Sequence, residues 1–196
     1  PVEGTASELL ASVRPEIEAI PLPEGYQLEW GGEYEDSAEA NASLASSIPV
    51  FIGAMILLTI ILFNSMRQAL VIWLCVPLII IGVTAGLLAF DQPFNFMAIL
   101  GFLSLIGMLI KNAIVLIDEI NEQNRLGSRP MQAVLDSGTS RLRPVGMAAA
   151  TTALGMIPLF ADAFFIAMAI TIISGLMVGT VLTMLVLPVF YSIIFR

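Results

Sequence analysis

The residue that first invites a chemical reading is Lys111, the only lysine in the chain. It lies in the run Gly107-Met108-Leu109-Ile110-Lys111-Asn112-Ala113-Ile114-Val115-Leu116. A charged side chain deep in a bilayer costs about 2.5–3.5 kcal/mol on insertion scales, so it normally faces protein and a partner. If the apolar run covers residues 96–120, Lys111 sits within about 5 Å of its centre along a helix axis. The alternative is a lysine that snorkels to the headgroups; the depth of Lys111 and its polar neighbour Asn112 speak against it. The natural partner for a mid-membrane ammonium is a buried acid. No carboxylate lies inside the other apolar runs, and Asp118, two turns further on, is nearer the membrane surface.

A second group of candidates opens the fourth apolar run. Arg141-Leu142-Arg143-Pro144 reads as an arginine anchor at a helix end, with Pro at a first helical position. On a helix of 3.6 residues per turn, Ala148 and Thr152 fall on nearly the same face as Arg141, so Thr152 places a hydroxyl on that stripe. Both the structural and the functional reading of Arg141 and Thr152 are open at this point. Gly82-Val83-Thr84-Ala85-Gly86 and Gly175-Leu176-Met177-Val178-Gly179 are small-xxx-small pairs, which let helix backbones approach closely. Pro77, Pro158 and Pro188 read as kinks or ends of spans.

Other chemistries are poorly supplied. Histidine is absent, which removes histidine-dependent catalytic triads and histidine metal sites. The single cysteine, Cys75, has no internal partner for a disulfide. The methionines are scattered without a repeated spacing and suit adaptable packing better than a soft-metal path. No basic tract supports nucleic-acid binding. The expectation is therefore no enzyme, no cofactor and no metal site.

The elements that must position these residues are membrane spans. Of 196 residues, 58% are hydrophobic and 12% charged, with a mean hydropathy of +0.92; a soluble domain carries about twice that charged fraction. The apolar residues form long runs rather than periodic stripes. Runs at about 45–66, 69–90, 95–120, 143–161 and 164–195 are each near the roughly 20 residues that cross a bilayer. Arg67, Arg125, Arg129, Arg141, Arg143 and Arg196 then fall on one side; Arg14, Asp91 and Asp162 fall on the other. The positive-inside rule makes the arginine side cytoplasmic, and an even number of spans would break this segregation.

Of the 16 acidic residues, 10 precede residue 40, in a polar segment that reads as helix, turn and strand. Apolar residues recur at helical spacing up to Ile20, Pro21-Leu22-Pro23-Glu24-Gly25 stops that helix, and Tyr26-Gln27-Leu28-Glu29-Trp30 alternates as a half-buried strand. So short a segment cannot close a core by itself. Pro1 and Arg196 read as cuts in a longer polypeptide.

Lys111-Asn112-Ala113-Ile114-Val115-Leu116-Ile117-Asp118-Glu119, followed by Arg141-Leu142-Arg143-Pro144, Pro158-Leu159 and Leu187-Pro188-Val189-Phe190-Tyr191, resembles a resistance-nodulation-division efflux transporter over essentially the whole chain. The resemblance implies a fold of five transmembrane helices in an all-α polytopic bundle (residues 41–196), preceded by a small α/β piece ending a periplasmic porter subdomain (residues 1–40). It implies the C-terminal-half membrane domain of a homotrimeric bacterial inner-membrane pump that exchanges protons for hydrophobic or amphiphilic compounds. Such a pump works with a periplasmic adaptor and an outer-membrane channel, amid membrane lipids. In that family a lysine at the position of Lys111 pairs with two aspartates on the fourth span, and an arginine matching Arg141 shares the relay, with Asn112 and Thr152 nearby. Ala148 stands where drug pumps of the family carry a threonine, so Thr151 or Thr152 would have to supply that hydroxyl. A related transporter with a metal or lipid cargo, and an assembly subunit without transport, are the alternatives.

Overall fold

The computed structural model describes residues 6–23 and 25–195; Glu24 of the expected turn and Arg196 lie outside them. The chain forms two units, Pro1–Ile52 and Gly53–Arg196. In the first, α1 (Ala6–Glu18) is followed by an irregular segment. Arg14 Nε donates to Glu18 Oε1 at 2.7 Å and Trp30 Nε1 donates to the same oxygen at 3.1 Å. The bond from Arg14, and then that from Trp30, hold the Glu18 carboxyl below its ordinary 4.5. This link is therefore present at neutral pH and is lost as pH falls through the lowered value.

The strand expected at Tyr26–Trp30 does not form, and the described residues contain no strand. Alternation supplies a strand's side-chain pattern but not a neighbouring edge for its N–H and C=O groups. Nothing among the described residues offers that edge, so the segment stays irregular, with Tyr26 N bonded to Pro23 O at 3.2 Å and Trp30 bonded to Glu18.

The other elements are α2 (Glu33–Phe63), α3 (Met66–Cys75), α4 (Leu78–Ala89), α5 (Phe96–Arg125), α6 (Pro130–Met156), a 3₁₀ turn (Ile157–Ala161) and α7 (Ile166–Ile194). Together they supply five helical segments long and apolar enough to cross a membrane, α3 with α4 counting as one and α6 with its 3₁₀ turn as another. The ends are set locally. Asn64 and Asp91 take left-handed φ of 48° and 50° just past α2 and α4, where short polar side chains tolerate that conformation. Gly127, at φ 88°, closes α5: its N–H bonds Asn124 O and Ser128 N–H bonds Gln123 O, both at 3.1 Å, leaving few orphan carbonyls. Ser65 and Asn95 cap the N-termini of α3 and α5, the Asn95 side chain accepting from Ala98 N at 3.0 Å. Asn95→Ala is expected to cost about 1 kcal/mol of stability, read as a lower midpoint in denaturation of the detergent-solubilised protein.

Pro77 interrupts the second span as expected. It has no N–H, and the backbone there switches to shorter-range bonds, with Val76 N to Trp73 O at 3.2 Å and Ile79 N to Val76 O at 3.1 Å. The fourth span differs from the expectation of a polar linker up to Arg143. Its helix starts at Pro130, and Pro144 lies in the interior rather than at a first position. Hydropathy marked only the apolar stretch. The polar half is also helical because Ala133, Val134 and Ser137 recur on one buried face.

In the second unit α7 is the central helix. Val71 and Ile72 of α3, Leu116 and Ile117 of α5, and Leu187 and Tyr191 of α7 form one packed cluster. Ile79 and Val83 of α4, Leu105 and Leu109 of α5, and Ile170 and Leu176 of α7 form another. Lipid tails are as apolar as these side chains, so close van der Waals packing rather than burial from water holds the helices. Gly82, Gly86, Gly175 and Gly179 all lie at these contacts. A Cβ on Gly82 would stand 2.9 Å from Val178 Cβ, and one on Gly179 would stand 2.7 Å from Leu109 Cδ1. One on Gly86 would overlap Ser174, and one on Gly175 would overlap Leu105.

Candidate functional site

Lys111 lies at the midpoint of α5 (Phe96–Arg125). The exposed residues of this helix are Ser104, Gly107, Lys111, Asp118, Glu122 and Arg125, whereas its other faces are buried or half-buried. Steps of three, four and seven residues keep this stripe within about 40° of Lys111 around the helix. A row of charges starting at mid-helix is a poor match to hydrocarbon, so the stripe reads as a seam for protein or water. Among the described residues Lys111 has no ion pair, since the two pairs present are Arg14–Glu18 and Arg141–Glu119.

Beside Lys111 runs a groove of about 280 Å³ between α2 and α5, walled by Met55, Leu58 and Leu62 on one side and Gly107 and Ile114 on the other. Thr59, which lines it, is bonded to Trp73 of α3. Trp73 Nε1 donates to Thr59 Oγ1 at 3.3 Å, and that hydroxyl donates to Ile56 O at 2.8 Å, so Thr59 offers the groove no free donor. Among the described residues that line the groove, Lys111 is the one ionisable group.

Arg141 is placed elsewhere. Its Nε donates to Glu119 Oε2 at 3.1 Å, and its terminal guanidinium nitrogen bonds the same oxygen. Gln123 Nε2 steadies the other carboxylate oxygen of Glu119 at 3.2 Å. Glu119 is eight residues beyond Lys111, about 12 Å along the helix axis, and about 80° around it. Thr152 Oγ1 donates to Ala148 O at 3.0 Å, within its own helix. Asn112 is half-buried beside Lys111. The structure thus joins α5 to α6 through Glu119 and Arg141, and Lys111 takes no part in that contact.

The residues that sequence reasoning passed over are Glu119, Gln68, Asn121 and Tyr191, which tie helices together, and the stripe below Lys111. The stripe had a signal: Lys111, Asp118, Glu122 and Arg125 stand at heptad-like spacing. Gln68 and Asn121 stand among other polar residues at helix ends, next to Arg67 and Glu122, and nothing in the spacing linked two residues so far apart.

Comparison with known proteins adds family context. The profile described as the AcrB/AcrD/AcrF family matches residues 2–195. The chain is 29% identical to the swarming motility protein SwrC of Bacillus subtilis, covering 94% of this chain and 18% of that protein. It is 30% identical to the cobalt-zinc-cadmium resistance protein CzcA of Cupriavidus metallidurans, covering 95% of this chain and 18% of that protein. With the multidrug resistance protein MdtC of Yersinia pseudotuberculosis the identity is 28%, over 97% of this chain and 19% of the relative. Among solved structures, a heavy metal efflux pump superposes with a TM-score of 0.76 at 30% identity, covering 96% of this chain and 20% of the pump. The chain therefore spans about a fifth of the length of the proteins it matches.

Proposed function

This chain belongs to the AcrB/AcrD/AcrF family of resistance-nodulation-division efflux transporters, and from that premise we propose that it supplies five membrane helices of a proton-driven exporter in which Lys111 is one half of a charge switch. The observation that carries the reading is a lone lysine at the midpoint of α5, on an exposed charged stripe, with no ion partner among the described residues. The other half is an acid contributed from outside this chain. While that acid is ionised, Coulomb attraction in a low dielectric holds Lys111 against it. Protonation removes the attraction and lets α5 repack, which is how proton binding can be converted into helix movement. Asn112 supports the ammonium from the same helix. We place Arg141 in an anchoring role through Glu119 rather than beside Lys111, and Thr152, bonded within its own helix, supports α6.

In this reading the complete transporter is a homotrimer in a bacterial inner membrane, with the arginine-rich ends cytoplasmic, working with a periplasmic adaptor and an outer-membrane channel. Two cargo readings stand on named relatives. MdtC, a multidrug resistance protein, favours amphiphilic compounds, whereas CzcA and the heavy metal pump favour divalent metal cations. The complete transporter in proteoliposomes, offered Co²⁺, Zn²⁺ or Cd²⁺ in one series and a cationic dye in the other, separates them. Proton-gradient-dependent movement of one class identifies the cargo, and movement of neither contradicts the exporter reading.

A further inference from the structure

A polar cluster near the arginine-rich end of the second unit has no part in the switch as described. Gln68 is the third residue of α3, and its N–H is taken by the Ser65 side chain at 3.4 Å. An amide side chain at that position commonly folds back to cap its own helix. Here it crosses to α5 instead. Gln68 Nε2 donates to Asn121 Oδ1 at 2.8 Å, and Asn121 Nδ2 returns a bond to Gln68 Oε1 at 3.3 Å. The Tyr191 hydroxyl of α7 donates to the same Asn121 oxygen at 3.3 Å. Gln68 and Tyr191 are buried, at 9% and 6% exposure.

Asn121 lies about 80° around α5 from Lys111 on one side, and Glu119 lies about 80° on the other. Within residues 119–123, α5 is therefore bonded to α3 and α7 on one flank and to α6, through Arg141, on the other. Two to three turns away, Lys111 has no ion pair among the described residues and borders an open groove. The helix is cross-bonded through polar side chains at one end, whereas its charged centre is held to the bundle by the apolar packing of Leu109, Ile110 and Ala113 on the faces away from Lys111.

We propose that residues 119–123 are a fixed anchor about which the Lys111 segment of α5 moves, and that Gln68, Asn121 and Tyr191 are positioning residues for proton coupling. The proposal rests on Lys111 carrying the coupling. With the anchor in place, neutralising the acid opposite Lys111 moves the middle of α5 in one direction. Without it, α5 shifts independently of cargo, and protons pass without export.

The test uses the complete transporter in proteoliposomes, normalised to folded protein, with Asn121→Leu, Tyr191→Phe and the exchanged pair Gln68→Asn with Asn121→Gln. Cargo efflux and proton entry in the absence of cargo are both read. Asn121→Leu is expected to lower the maximal efflux rate about tenfold, within the usual range of coupling between sites, while leaving the half-saturating concentration in place. Cargo-independent proton entry is expected to rise several-fold. The exchanged pair keeps a reciprocal amide contact and is expected to restore tight coupling, which a purely packing role would not require. Tyr191→Phe removes only a hydroxyl, so it reports even if Asn121→Leu does not accumulate, and its proton entry is expected to rise. Unchanged proton entry in Asn121→Leu or, where that protein is not obtained, in Tyr191→Phe would overturn the anchor; so would an exchanged pair as leaky as Asn121→Leu. If Lys111→Ala uncouples and Asn121→Leu does not, the anchor alone fails; if Lys111→Ala remains coupled, the underlying reading fails with it.

Discussion

Lys111→Ala in the complete transporter is expected to reduce proton-coupled efflux by about 100-fold or more, with the protein still present in the membrane at its normal level. Removing one partner of a desolvated ion pair typically costs about 3–5 kcal/mol, because the remaining charge is left buried and unpaired. Each 1.4 kcal/mol is about a factor of ten, so a barrier raised by that amount accounts for the loss. Alanine removes the charge but leaves the helix intact, since it is the best helix former. Lys111→Arg is expected to recover only part of the rate. A guanidinium keeps the charge but is planar and wider than an ammonium, and does not fit the same point contact. Cargo-driven efflux from cells, set against membrane protein measured by blot, checks both variants.

The second large effect is structural. Gly82→Leu is expected to prevent assembly of the α4–α7 contact, and even Gly82→Ala is expected to lower the melting temperature of the purified protein by several degrees. A Cβ at Gly82 would meet Val178 Cβ at 2.9 Å, Ser174 O at 3.0 Å and Gly175 Cα at 3.1 Å. Two of those neighbours are backbone atoms, which cannot swing aside as a side-chain tip can. Overpacking a well-packed site costs about 1–3 kcal/mol, and a leucine asks for far more room than one methyl. Gly107→Ala is the control: nothing lies within 4 Å of a Cβ there, so its thermal stability is expected to stay near that of the parent. Thermal unfolding of the three variants in detergent decides the point. Equal melting temperatures for Gly82→Ala and the parent would mean that this contact is not close-packed.

The five spans and the singular position of Lys111 were legible because both depend on local sequence: run length, hydropathy and the cost of charge in hydrocarbon. The stops at Asn64, Asp91 and Gly127 use residue types that suit left-handed backbone, but the last of them closes α5 at Arg125, beyond the end expected near residue 120. The strand at Tyr26–Trp30 failed for the opposite reason, because a strand needs an edge from elsewhere and alternation says nothing about its availability. The start of α6 was hidden because its first turns are polar on most faces and only Ala133, Val134 and Ser137 mark the buried side. The contacts of Arg141 with Glu119 and of Gln68 with Asn121 join residues 22 and 53 positions apart. Such pairings follow from helix packing and register, which no short window of sequence contains.

The central claim is that Lys111 couples protons to cargo, and the most direct measurement follows both in one vesicle. Proteoliposomes bearing the complete transporter are loaded with a pH-sensitive dye, and cargo is applied on the side from which it is exported. The parent protein is predicted to move protons opposite to cargo, while Lys111→Ala binds cargo with near-parent affinity and moves no protons in response. Cargo-driven proton movement at the parent's ratio in Lys111→Ala would contradict the account.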